Sequence, residues 1–252
     1  MKNLFKFFIS FLFLMSALNA SETNATQASE KVLKVGLNAN YQPFEYVKIN
    51  FQIAGFDVDL INEIAKKVGF KFEIIDMKFE NLISAIENNE VDIAISAISI
   101  TPERAKRVIF SKPYFSGTDV YIKRADNNTI KSKSDILGKK IGVQQGSSQE
   151  EKAKTLNVEV VSLENPFMAI MELKKNNIDL VLLDNVAGIG YVDKNSDLKI
   201  LLEEDDNTDG MAIVFSKNAD ANFINSVNMA LDEIMKSEIY QALLKKHRLK
   251  IK

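Results

Sequence analysis

Cysteine and tryptophan are absent from the 252 residues, histidine occurs once and proline four times. Without cysteine there is no disulfide, no thiolate metal centre and no lipid-modified cysteine behind a secretory leader. The lone His247 lies in the basic tail Lys245-Lys246-His247-Arg248, where it reads as a surface residue rather than a ligand or catalyst. Charge of one sign is missing as well: 32 Lys and Arg against 34 Asp and Glu leave a net charge of −2. No basic stripe offers itself to a nucleic acid. Beyond the first 20 residues no apolar run approaches the roughly 20 residues that a membrane helix needs. No metal and no cofactor are expected.

The N-terminus carries the strongest compartment signal. Lys2 and Lys6 mark a short basic region, and residues 7–18 are apolar apart from Ser10 and Ser16. Ala17-Leu18-Asn19-Ala20 then precedes polar Ser21-Glu22-Thr23, the pattern of a secretory signal peptide spanning 1–20. An uncleaved anchor is the alternative. Cleavage after Ala20 leaves 232 residues with a net charge of −4, since Lys2 and Lys6 go with the leader. Residues 21–30 are small and polar and read as a flexible leader.

From residue 31 the pattern alternates strand and helix. Residues 31–37 alternate as a strand. Asp57 reads as the cap of a helix carrying Leu60, Ile61, Ile64, Ala65 and Val68 on one face, with Gly69 as its stop. Residues 70–75 and 91–97 read as strands on either side of a short helix at 81–88. A second series begins near residue 134, with strands at 140–143, 158–162 and 179–183. Two helices close the chain after a strand at 212–215. This is the signature of βαβ units and parallel sheets. Two such units in succession predict two lobes, 31–119 with 211–252 and 120–210, with hinge segments near 119–123 and 209–213. Ligands of open α/β sheets sit beyond the carboxyl ends of the strands, so the cleft between the lobes is the expected site.

Residues 96–104 read Ser-Ala-Ile-Ser-Ile-Thr-Pro-Glu-Arg. Thr101 and Pro102 open a helix as N-cap and first-turn residue, and Arg104 follows within that turn. Hydroxyls, helix N–H groups and a guanidinium thus converge, which suits a carboxylate. The alternative is a solvated arginine on a strand-to-helix connection. Asp184 ends the buried strand Val181-Leu182-Leu183, where a carboxylate needs a positive partner, either a structural Lys or Arg or a ligand ammonium. Arg104 and Asp184, one per lobe, describe a receptor for a zwitterion. Asn38, Tyr41, Phe79, Gln144, Ser148 and Gln149 follow strand ends or open helices. Core packing for the aromatics, and an ordinary turn for residues 144–149, are the competing readings.

The ordered motifs Tyr41-Gln42-Pro43-Phe44-Glu45, Gly55-Phe56-Asp57-Val58-Asp59-Leu60, Val91-Asp92-Ile93, Ile100-Thr101-Pro102-Glu103-Arg104 and Phe110-Ser111-Lys112-Pro113-Tyr114 carry a resemblance. Leu137-Gly138-Lys139-Lys140-Ile141-Gly142-Val143 and the Ile239-Tyr240 helix extend it over nearly the whole mature chain. The sequence resembles the periplasmic solute-binding proteins of polar amino acid ABC importers. The resemblance implies an α/β, two-lobed periplasmic-binding fold of type II with two hinge-crossing strands. It implies a periplasmic monomer that delivers a free polar L-amino acid, basic or amide-bearing among the options, to an inner-membrane permease. Arg104 would hold the α-carboxylate with help from Ser96, Ser99 and Ser148, Asp184 would hold the α-ammonium, and Tyr41 and Phe79 would sandwich the side chain. The chain departs from basic-amino-acid binders at Asn38, where they often carry Asp, but resembles them at residues 144–149. Ala97 stands where some relatives have serine or glycine. A dehydratase-like enzyme on the same fold, or a secreted antigen or adhesin, are the alternatives.

Overall fold

The computed structural model describes residues 31–250; the signal-peptide and leader readings of 1–20 and 21–30 lie outside the described residues. The chain first lays down β1 (Val32–Leu37), the short β2 (Asn40–Tyr41), β3 (Glu45–Val47) and β4 (Ile53–Ala54), then α1 (Phe56–Val68) and β5 (Lys71–Asp76). After these come α2 (Leu82–Glu87), β6 (Ile93–Ala94), α3 (Pro102–Ala105) and β7 (Ile109–Phe115). The second series runs β8 (Asp119–Arg124), β9 (Lys140–Gln144), α4 (Ser148–Lys154), β10 (Glu159–Leu163), α5 (Pro166–Lys174), β11 (Leu180–Asp184), α6 (Asn185–Lys194) and β12 (Leu198–Glu204). Then follow β13 (Met211–Phe215), α7 (Ala221–Met235) and α8 (Glu238–His247).

Two five-stranded sheets result, β5-β1-β6-β13-β7 and β10-β9-β11-β8-β12, with β2, β3 and β4 forming a small third sheet. In each large sheet three parallel strands are joined by a fourth that runs antiparallel to its neighbours. β7 and β8 follow each other in the chain yet lie in different sheets, as do β12 and β13. The chain therefore passes between the sheets at 116–118 and 205–210. The sequence reading put hinges at 119–123 and 209–213, but most of these residues are ladder-paired strand in β8 and β13. The Gly117-Thr118 step, not the apolar strand beyond it, is where the chain crosses.

Apolar periodicity explains the cores. α1 buries Leu60, Ile61, Ile64 and Ala65 against α7 and α8, and these join Val35, Ile93 and Phe215 from the first sheet. Each of these side chains larger than alanine contributes about 1.5–3 kcal/mol by leaving water. β11 is buried at every position, as a near-continuous apolar run predicts.

Three local readings change. β6 is shorter than the run 91–97 because Ser96 and Ala97 turn out of the ladder, Ala97 with φ +46°. Asp57 is not the cap of α1; that place falls to Gly55, with φ +143°. The first helical N–H groups of Phe56 and Asp57 donate instead to the carbonyls of Pro43 and Phe44, both at 3.0 Å. His247 is not a surface residue: its side chain is 6% exposed, pairs with Asp59 and packs edge-on against Phe56.

Gly55 permits this backbone cap, since a Cβ there would lie 1.9 Å from the Phe44 carbonyl oxygen. Gly55→Ala is expected to lower unfolding free energy by at least about 3 kcal/mol or to prevent folding. Urea denaturation measures it, and a loss under about 1 kcal/mol would contradict the cap.

Candidate functional site

The carboxyl ends of β1 and β6 in one sheet and of β9 and β11 in the other converge on one cavity of about 300 Å³. From the first sheet it is lined by Tyr41, Phe79, Ser96, Ala97, Ser99, Arg104 and Met211; the second supplies Gln144, Ser147, Ser148, Gln149 and Asp184. Ten of the eleven sequence-derived site residues are therefore brought together here. Asn38 is the exception. It sits behind the wall, accepting from Gln144 Nε2 at 3.3 Å and donating from Nδ2 to the Met77 carbonyl at 2.8 Å.

Arg104 is placed as its sequence implies. Thr101 caps α3 by accepting from the Arg104 N–H, with Pro102 in the first turn. The guanidinium is buried, donates from Nη1 to the Ser99 carbonyl and from Nη2 to the Gly146 carbonyl, both at 2.8 Å, and lies 5.7 Å from the centre of the Phe79 ring. Among the described residues no carboxylate lies within ion-pair distance of it. Burial pulls its pKa below the usual arginine value, while the field of Glu151 opposes this. Its remaining N–H donors suit a carboxylate.

Asp184 is the N-cap of α6, so the positive partner expected for it is a helix N-terminus rather than a lysine or arginine. Its Oδ1 accepts from the N–H groups of Val186 at 2.9 Å and Ala187 at 3.1 Å, and its Oδ2 accepts from the Tyr41 hydroxyl. Burial raises its pKa to about 6. Tyr41 is thereby a hydrogen-bonding residue as well as an aromatic one.

The far end of the cavity is lined by amides. Gln149 Nε2 donates to Asp119 Oδ1 at 2.8 Å, and Lys152 donates to Asp119 Oδ2 at 2.8 Å. Asp119 is neutralised by Lys152, which also pairs with Glu204 at 3.0 Å. The Gln149 Nε2 is thus engaged by Asp119, and its carbonyl, which accepts from Ser148 Oγ at 3.4 Å, keeps a second lone pair for a ligand. Gln144, whose Nε2 is engaged by Asn38, is arranged likewise.

Ser147, Asp119 and Met211 escaped the sequence reading. Ser147 caps α4, which a Gly-Ser-Ser-Gln step could have shown, whereas Asp119 and Met211 gave no local signal. The acidic run 203–206 begins in β12, where Glu204 pairs with Lys133 and Lys152.

Two α/β lobes with a cleft at their strand ends define a periplasmic binding protein of type II. The family model of bacterial extracellular solute-binding proteins, family 3, matches residues 33–250, and the chain belongs to that family. It is 37% identical over 254 residues to a probable histidine-binding protein of Campylobacter jejuni, covering 98% of this chain and 99% of that one. It is 34% identical to the arginine-binding extracellular protein ArtP of Bacillus subtilis, over 90% and 89% of the two chains. Among solved structures, an ancestral arginine-binding protein bound to arginine superimposes with TM-score 0.80 and 35% identity, over 86% of this chain and 97% of that one. These relatives are binding proteins, not enzymes.

At Gly146 the second wall packs directly on the backbone of the first. The glycine's φ is +75°, and a Cβ on it would lie 2.8 Å from Glu80 Cα. Gly146→Ala is expected to leave both sheets folded but to hold the walls apart, raising the radius of gyration in small-angle scattering. Unchanged scattering would show that the contact does not set the closed geometry.

Proposed function

We propose that the protein binds a free L-amino acid in this cavity and delivers it to an inner-membrane ABC permease, working as a monomer in the periplasm. The observation that carries this reading is the pair of opposite charges, Arg104 and Asp184, on facing walls. Neither has an ion-pair partner among the described residues. The α-carboxylate binds Arg104, with the Ser99 and Ser148 hydroxyls and the amides near Ser96 and Ala97 beside it. The α-ammonium binds Asp184, displacing or sharing the Tyr41 hydroxyl. Tyr41 and Phe79 enclose the side chain. Closure brings the lobes together about the crossings at 116–118 and 205–210.

The side-chain end supports a donor-rich ligand. The carbonyl oxygens of Gln144 and Gln149 accept hydrogen bonds, and the one carboxylate nearby, Asp119, is already paired with Lys152. L-Arginine and L-histidine, the ligands named for the relatives above, both meet this requirement, as does an amide-bearing amino acid. Titration calorimetry against the twenty amino acids tests the reading. Absence of heat and of any melting shift would refute it, because ligand at about 100 times Kd adds roughly 2.7 kcal/mol of stability.

Removing one partner of a buried charge pair leaves the other uncompensated. Arg104→Ala and Asp184→Ala are each expected to weaken binding at least about 100-fold. Binding within about tenfold of wild type would remove that residue from its role.

The pH dependence follows from Asp184. Its folded pKa of about 6 lies above the ordinary aspartate value, so the ligand-free protein binds a proton more tightly than the unfolded chain and gains stability as pH falls through 6. The ammonium needs the charged carboxylate, so affinity moves the opposite way. Kd is expected to rise roughly tenfold from pH 7 to pH 5. A flat calorimetric profile would contradict the assignment.

A further inference from the structure

Beneath the wall formed by Ser96 and Ala97 lie two carboxyls that the ligand's charges do not use. Glu45, at the start of β3, and Asp57, in the first turn of α1, are both 0% exposed. Glu45 Oε1 accepts from Ser96 Oγ at 2.8 Å, and Ser96 Oγ in turn accepts the Asn38 N–H at 3.0 Å. Asp57 Oδ2 accepts from the Ala97 N–H at 2.7 Å and from the Tyr114 hydroxyl at 2.8 Å. The other two oxygens, Glu45 Oε2 and Asp57 Oδ1, are shut off from solvent and have no hydrogen-bond partner among the described residues. The field of Asp57 reaches Glu45. Two carboxyls held this close, out of water and without a cation, do not both ionise, so one keeps its proton.

The surroundings keep that proton in place. Tyr41 from β2, Tyr114 from β7, Tyr240 from α8 and the carboxylate of Asp184 face the pair, and none of these is cationic. Burial first and the field of Asp57 second hold Glu45 well above the usual carboxylate range, whereas burial lifts Asp57 to about 6. Asp57 accepts two hydrogen bonds and Glu45 one, so the charge rests better on Asp57 and Glu45 is the acid. The pair also sits against a strained residue: Ala97, at φ +46°, occupies a conformation that a non-glycine residue keeps only when its surroundings hold it.

We propose that Glu45 and Asp57 are positioning residues that share one proton, and that this proton, by holding the Ser96 hydroxyl and the Ala97 amide from behind, fixes the stretch of cavity wall that Ser96 and Ala97 form. The effect on affinity rests on the amino-acid reading above; the shared proton does not. Glu45→Gln keeps a neutral donor toward Asp57 and an acceptor for Ser96, whereas Glu45→Ala removes both.

Infrared spectra of the ligand-free protein at pH 8 are expected to show the C=O stretch of a protonated carboxyl, absent in Glu45→Gln. Amide exchange at Ala97, read by NMR without ligand, is expected within about threefold of wild type in Glu45→Gln and at least about tenfold faster in Glu45→Ala. Affinities for L-arginine and L-histidine are expected to follow the same order. No protonated-carboxyl band in the wild type, or exchange in Glu45→Gln accelerated at least tenfold, would overturn the proposal. If Glu45→Ala does not fold, the band and the Gln variant decide. Both spectroscopic readouts are taken without ligand, so they judge the shared proton apart from any amino acid bound.

Discussion

Arg104 and Asp184 are held out of water on facing walls of one cavity, and neither neutralises the other. A buried charge is tolerated when fixed dipoles substitute for its hydration. Arg104 has the Ser99 and Gly146 carbonyls and the face of Phe79; Asp184 has the N-terminus of α6 and the Tyr41 hydroxyl. These partners are enough to hold each side chain in place and too few to neutralise it. A zwitterion of the right length completes both sites at once, which is how a binding protein obtains affinity without an enzyme's acid–base machinery.

The same logic runs backward from the site into the fold. Arg104 reaches across to Gly146, and Gln144 to Asn38, so each wall is completed by the opposite lobe. Because a Cβ at Gly146 would meet Glu80, glycine is required there for the walls to meet. Behind the first wall, Glu45 and Asp57 support Ser96 and Ala97, and Asp57 is available for this because the backbone of residues 43–44, not its carboxylate, caps α1. A glycine at position 55 thus frees a carboxylate two residues later to hold the ligand wall.

Charge placement also divides recognition into two tasks. In the proposed function the charged groups Arg104 and Asp184 read what all free amino acids share, and the amide ends of Gln144 and Gln149 read the side chain through neutral acceptors, with Asp119 orienting Gln149 while Lys152 absorbs its charge. A site built in this way can favour hydrogen-bond donors without placing a third unpaired charge in the cleft.

Thr101-Pro102 and the apolar face of α1 were legible in the sequence because capping and helical periodicity act between residues a few positions apart. The convergence of Arg104 with Asp184 was also legible, since strand ends of open α/β units point to a common edge. Longer-range features were not. Asp57 resembles a cap until the distant Pro43 and Phe44 carbonyls take that place, and His247 resembles a tail residue until α8 docks beside Asp59 and Phe56. Asp119, Ser147 and the carboxyl pair of Glu45 and Asp57 acquire meaning from neighbours that only the tertiary structure supplies. Sequence by itself therefore determined the elements, the lobes in outline and the two ligand charges. The folded chain decided which buried carboxylates share a proton, which are neutralised and which is left facing the ligand, because those states depend on distances that no local pattern encodes.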